Sequence, residues 1–269
     1  MFKRRALHSV RRAQKRKKEL TARVLFIVFL VAAISASTVF ILRNDFFLLR
    51  TVTFEGNTVT TDEELTRAVF ESLKGTYIRF IPQQNVLLYP KEKIEPYLLS
   101  AFPRLERVSV RLSGTDSLAI TLAERAPSAM WCGESKTNSV PCYFVDKWGF
   151  IFSIAPEFSS SDVYVKYYGA VSESPLGQTF LPDSFSRVDS FVQSLRQINL
   201  SPVTCSIDEK GDGVIALENK SELLFNPSED LSVTFENLTS FLRENQKEFS
   251  QKPFTYIDLR FGNKIFYKP

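Results

Sequence analysis

A single histidine, His8, occurs in the 269 residues, and it lies among the basic residues at the N-terminus. Beyond that region no Ser-His-Asp triad, Cys-His pair or His-ligated metal centre can be assembled, so those classes of chemistry are excluded. Three cysteines are present. Cys132 and Cys142 bracket the polar segment GESKTNSVP, a spacing that a hairpin can bridge, whereas Cys205 stands alone. With no C-x-x-C motif or other metal spacing, the pair reads either as a disulfide or as two buried thiols. Carboxylates are plentiful, so composition alone permits an acid pair of the kind that hydrolyses glycosides. The conspicuous acids nevertheless have structural roles in view. Glu63 and Glu64 sit in a helix-capping pattern, Asp146 precedes Gly149 as in a hairpin turn, and Asp258 shares a strand face with Arg260. The residues therefore predict neither a catalytic site nor a metal or cofactor site.

The segments that carry these residues differ in charge. Residues 1–23 hold ten Lys or Arg against one acid, Glu19, while residues 44–269 hold 23 against 29 Asp or Glu. Between them Val24 to Leu42 reads VLFIVFLVAAISASTVFIL, without a charge. As a helix it spans about 29 Å, close to the ~30 Å hydrocarbon core of a bilayer. The basic excess on its N-terminal side predicts a cytoplasmic tail (1–23), a transmembrane helix (24–42) and an outer region from residue 44 onward. A cleaved signal peptide, with Ile34-Ser35-Ala36-Ser37 as its cleavage site, and a polyanion-binding arm are the alternatives. The long basic region and the apolar run extending to Leu42 favour the anchor. No aromatic or base-reading pattern accompanies the arm, so no nucleic-acid partner is expected.

In the outer region, Arg50–Gly56 alternates, with Val52 and Phe54 on one face, and ends in the turn pair Gly56-Asn57. Thr60-Thr61-Asp62-Glu63-Glu64 is a capping box in either of two registers, followed by Leu65, Val69 and Leu73 at helical spacing, with Gly75 as the stop. A second helix begins near Pro90 and carries Ile94, Leu98 and Phe102; Pro96 is expected to kink or shorten it. Two strands follow, the first with Val108, Val110 and Leu112 inward, the second with Leu118, Ile120 and Leu122 inward. Strand, helix, helix, strand, strand describes a small α+β domain.

After Pro127 short aromatic-rich strands are predicted at Tyr143–Asp146, Phe150–Ile154, Val163–Tyr167, Pro202–Ile207, Val214–Glu218, Glu222–Phe225, Thr255–Arg260 and Lys264–Lys268. Two helices interrupt them. The first, near Asp183–Ile198, carries Phe185, Val188, Val192 and Leu195. The second, near Ser228–Phe249, carries Leu231, Phe235, Leu238, Leu242 and Phe249 on one stripe. This is a second, mixed-sheet domain with helices on one side, and its many Phe residues read as core.

In order, these features resemble the FtsQ/DivIB family of bacterial division proteins. The resemblance rests on Val52-Thr53-Phe54-Glu55-Gly56-Asn57, Thr61-Asp62-Glu63-Glu64-Leu65 and Phe102-Pro103-Arg104-Leu105-Glu106-Arg107-Val108. It continues through Glu124-Arg125-Ala126-Pro127-Ser128-Ala129-Met130-Trp131, similar to an E-R-x-P-x-A-x-W signature, then Val145–Phe152 and Tyr256–Phe261. Residues 132–142 read as an insertion. The resemblance implies a POTRA domain over 47–124 and a β domain over 125–269. It also implies a non-enzymatic, single-pass scaffold of the division septum, N-terminus cytoplasmic, without cofactor or small-molecule substrate. The implied partners are FtsB- and FtsL-like proteins on the β domain and the septal peptidoglycan synthase pair on the POTRA domain and membrane helix. A membrane-anchored peptidoglycan-cleaving enzyme and a POTRA-type secretion component are the competing readings. The second resembles the chain only over 50–123.

The partner site is expected at the last strand, Lys264–Lys268 (KIFYK), which is short, alternates charge with apolar groups and has no following segment to cover it. A sheet edge can accept an extended partner as one more strand. Phe261, at the position of the family's partner-binding aromatic, Phe266 and Tyr267 are the candidate anchors, with Lys264 as a flanking charge. The competing reading places the three aromatics in the core.

Overall fold

The structure, a computed structural model, describes residues 3–136, 141–156, 164–171, 174–251 and 254–269, with side chains throughout these except at 3–14 and 249–251. His8 and Phe249 therefore lie outside the described side chains, and Val163 lies outside the described residues. The chain is a mixed α and β protein with one long apolar helix and a large mixed sheet.

Helix α1, Lys3–Leu42, has 40 residues and runs unbroken from the basic region through the apolar segment. The expected tail is thus helical, for it contains neither Gly nor Pro and is rich in Lys, Arg and Ala, which favour helix. In the apolar part the Ser35 and Thr38 hydroxyls donate to the carbonyls of Val31 and Ile34, each at 2.9 Å. These two hydroxyls are thereby satisfied within the helix, as a hydrocarbon environment requires. Among the described residues this is the one helix long and apolar enough to cross a membrane, and it fits single-pass anchoring. A signal sequence has the same profile.

The chain divides into two compact units, Met1–Leu98 with Val108–Leu122, and Leu99–Arg107 with Ala123–Pro269. The first contains strand β1 (Thr51–Glu55), helix α2 (Asp62–Ser72), the small hairpin β2 (Thr76–Tyr77) and β3 (Ile81–Pro82), and most of helix α3 (Lys91–Ala101). Strands β4 (Leu105–Ser113) and β5 (Ser117–Glu124) complete a three-stranded sheet ordered β1-β5-β4, with β1 parallel to β5. The capping box adopts the Thr61–Glu64 register, in which the Glu64 N–H donates to Thr61 Oγ1 and the Thr61 N–H to the Glu64 carboxylate. Leu65, Val69 and Leu73 are buried, as are Ile94, Leu98, Val110, Leu118, Ile120 and Leu122.

Helix α3 carries Pro96 inside it and stops at Ala101, before Phe102, with Ile94 and Leu98 fully buried. One expectation fails here. Leu112, expected inward, is 45% exposed near the end of its strand. Gly56 is required at its turn: it has φ +95°, and a Cβ there would clash with the Leu122 carbonyl oxygen.

In the second unit nine strands pair in the order β14-β13-β12-β11-β10-β9-β6-β7-β8. They are β6 (Ala129–Trp131), β7 (Tyr143–Val145), β8 (Ile151–Ile154), β9 (Lys166–Tyr168), β10 (Pro202–Ile207), β11 (Gly213–Leu217), β12 (Glu222–Phe225), β13 (Tyr256–Phe261) and β14 (Lys264–Lys268). Helix α4 (Phe185–Ser194) continues into a 3-10 turn, and helix α5 (Leu231–Glu244) stops at Asn245 before the short α6 (Gln246–Gln251). The registers align Tyr167, Cys205, Ile215, Leu223, Ile257 and Tyr267 in one cross-sheet row. All but Tyr267 belong to the buried cluster that also holds Phe185, Val188 and Val192 of α4 and Leu231 and Leu238 of α5. The helices therefore cover that face of the sheet.

The structure joins Cys132 to Cys142 as a disulfide, while Cys205 is buried and free. Closing so short a loop contributes at most about 3 kcal/mol through the unfolded chain. Alkylation without reduction, read by mass spectrometry, should leave both residues unmodified; two alkylated thiols there would contradict the bridge.

Candidate functional site

The outermost strand on one side of the large sheet is β14, so a row of its backbone groups faces away from β13 without a neighbouring strand among the described residues. Which side chains accompany that edge follows from register. Ile257 pairs with Tyr267 and Asp258 with Phe266, but Phe261 pairs with Lys264, so one extra residue is accommodated on β13 between Asp258 and Phe261. Simple alternation from buried Leu259 would aim Phe261 into the core. The bulge turns it to the opposite face, beside Phe266. The two rings meet edge-to-face at 5.2 Å between centroids, and they are 54% and 51% exposed. Lys264 is exposed on the same face, across from Phe261.

Tyr267 departs from this group. It sits on the helix-covered face, 5.1 Å from the Phe241 ring and 5.0 Å from the Phe254 ring. Of the four residues predicted for the edge, the structure brings together Phe261, Lys264 and Phe266, and gives Tyr267 to the rim of the core.

A charged cluster ties β13 to the turn between β10 and β11. Arg260 Nη2 is 2.7 Å from Asp258 Oδ2, and its Nη1 is 2.6 Å from Asp212 Oδ2. The hydrogen bonds from Arg260, with their accompanying charge, hold the Asp258 carboxyl below the ordinary carboxylate range against the opposing effect of burial. Between the same acids the guanidinium holds its proton more firmly than usual. The stability that Asp258 contributes is present above its unfolded pKa, near 3.9, and is lost as pH falls through its lower folded value. The thermal stability of the full chain should fall as pH drops below about 4, and Asp258→Asn should flatten that part of the profile. An identical acid slope in the variant would contradict this role. Asp212 was invisible beforehand because it lies 48 positions from Arg260 in a polar turn.

A second constellation joins two segments read separately in the sequence. Asp146 is 4% exposed and accepts from the backbone N–H groups of Trp148 and Phe150 at 2.8 and 3.0 Å. Arg125 Nη1 donates to its other oxygen at 2.5 Å, Nε donates to the Pro103 carbonyl at 3.1 Å, and the guanidinium lies 4.1 Å from the Phe150 ring centroid. This pairing positions the chain entering β6 against the β7–β8 turn. Near it Asp189, also buried, accepts from Ser128 Oγ at 2.6 Å and from the Tyr167 hydroxyl at 2.9 Å. Burial, reinforced by the Asp189 charge, pushes the Tyr167 hydroxyl and the Cys205 thiol well up. Both stay protonated, and neither is poised as a nucleophile.

Among the described residues no group of three or more His, Cys, Asp or Glu is placed to hold a metal ion. What the β14 edge offers chemically is backbone pairing, an exposed aromatic pair and flanking lysines. No family model matches the chain, and no curated protein matches it.

Proposed function

We propose that the chain is a non-enzymatic, single-pass membrane scaffold of the bacterial divisome, of FtsQ/DivIB type. In this reading residues 47–124 form a POTRA domain and residues 125–269 the β domain. An FtsB/FtsL-like partner adds a strand along β14, and the septal synthase pair contacts the POTRA domain and α1. The observation that supports it most is the exposed Phe261–Phe266 pair, which spans the edge strand β14 and its neighbour β13 in a chain that also carries a long apolar helix. Backbone pairing reads no sequence, so specificity requires such side-chain anchors. The basic excess before Val24 supports a cytoplasmic N-terminus, with residues 44–269 outside the cytoplasm. A reporter active only outside the cytoplasm, fused after Pro269, should be active; activity only in a cytoplasmic reporter would overturn the proposal. Muropeptide release by the purified protein would likewise overturn its non-enzymatic part.

A further inference from the structure

The first unit exposes apolar side chains close to where α1 ends. The β2–β3 turn carries Ile78, 84% exposed, and Phe80, 56% exposed; the loop behind it carries Leu87 at 61%. Ile78 and Arg79 both hold positive φ, +50° and +64°. A β-branched residue adopts that conformation at a cost, and here the result is an isoleucine side chain held out of the core.

The same segment is fastened to the end of the helix. Asn85, fully buried, donates from Nδ2 to the Leu42 carbonyl at 2.8 Å and so satisfies one of the carbonyls left open at the helix terminus. The Val86 N–H donates to the Phe47 carbonyl, and the Leu49 N–H to the Gln84 carbonyl, at 2.8 and 2.9 Å. Phe80 then lines one groove of about 660 Å³ with Ser35, Val39 and Phe40 of the helix and with Arg43 just past its end. Ser35 precedes Leu42 by two turns, which is about 10 Å along the axis. If Val24–Leu42 occupies the hydrocarbon, Phe80 reaches the depth of its last turns.

We propose that the β2–β3 turn and the 85–88 loop insert into the surface layer of the bilayer that α1 crosses, on the side that its Leu42 end faces. The occupant is lipid: the apolar surface is continuous with the membrane-spanning helix, Arg43 lines the same groove and Arg79 stands between Ile78 and Phe80, charges that match phosphate headgroups. Ile78 and Phe80 are the wedge, and Asn85 sets its height by capping the helix. The inference goes beyond the proposed divisome role and needs only that α1 spans a membrane.

The test uses the full chain at low density in vesicles of phosphatidylcholine and phosphatidylglycerol, a fraction of which carries a photoactivatable diazirine on the acyl chain. After irradiation, peptide mapping should find lipid adducts on 24–42 and also on 77–88. The double variant Ile78→Asp, Phe80→Asp should lose the 77–88 adducts and keep those on the helix. Both side chains are exposed, so its melting should match wild type; if it fails to fold, the wild-type map alone decides. Adducts confined to 24–42, no adducts on either segment, or 77–88 adducts that persist in a folded double variant would each overturn the proposal.

Discussion

Replacing Arg125 by alanine is expected to destabilise the second unit by about 3–5 kcal/mol, because it leaves a buried carboxylate without its cation. Asp146 would keep the two backbone N–H donors but lose the Arg125 guanidinium, with side-chain exposures of 17% for Arg125 and 6% for Asp146. The loss extends past charge. The same guanidinium stacks on Phe150 and donates to the Pro103 carbonyl, which would also be left open. Arg125→Lys should recover only part of the deficit, since an ammonium is a point charge that cannot meet both acceptors while covering a ring. Thermal unfolding of the full chain in detergent measures this; at 2–4 °C per kcal/mol for a unit of this size, a fall of about 10 °C is expected. A double variant with apolar residues of similar volume at 125 and 146 should be less damaged than Arg125→Ala alone. An Arg125→Ala protein that melts like wild type would show that the pair is not what holds β6 to the β7–β8 turn.

Much of that arrangement was hidden in the sequence for identifiable reasons. Strands with one wet face announced themselves: Leu118, Ile120 and Leu122 alternate with partly exposed neighbours and are buried. Strand β6 did not, because Ala129, Met130 and Trp131 are all buried and a three-residue run shows no period. The β2–β3 hairpin has two residues per strand, too few to alternate. Helices were legible through their stripes and caps, yet their ends were not, since Asn245 and the 3-10 turn after Ser194 interrupt patterns that continue in hydrophobicity. The alternation in KIFYK made Lys264–Lys268 legible as a strand, and it lies at the sheet edge. The face presented by each aromatic depended on a bulge between Asp258 and Phe261, which alternation cannot foresee.

That bulge separates two kinds of aromatic substitution. Phe261→Ala and Phe266→Ala should each weaken capture of an FtsB-like partner by about 30-fold, the equivalent of about 2 kcal/mol for an interface anchor. Both rings are about half exposed and touch one another, so their removal should leave the melting temperature nearly unchanged. Tyr267→Ala should behave in the opposite way. Its ring packs against Phe241 and Phe254, so the variant should melt lower, with weakened capture only in proportion to unfolding. Unchanged capture by both Phe variants would place the partner elsewhere on the molecule.

The central claim, that a partner strand adds to the free edge of β14, is tested most directly by amide hydrogen exchange on Lys264–Lys268, with and without a saturating FtsB-like partner. The account predicts that the amides facing away from β13 exchange readily in the free chain and become strongly protected on binding, with Phe261 and Phe266 variants losing the protection. Unchanged exchange across β14 at saturation would contradict it.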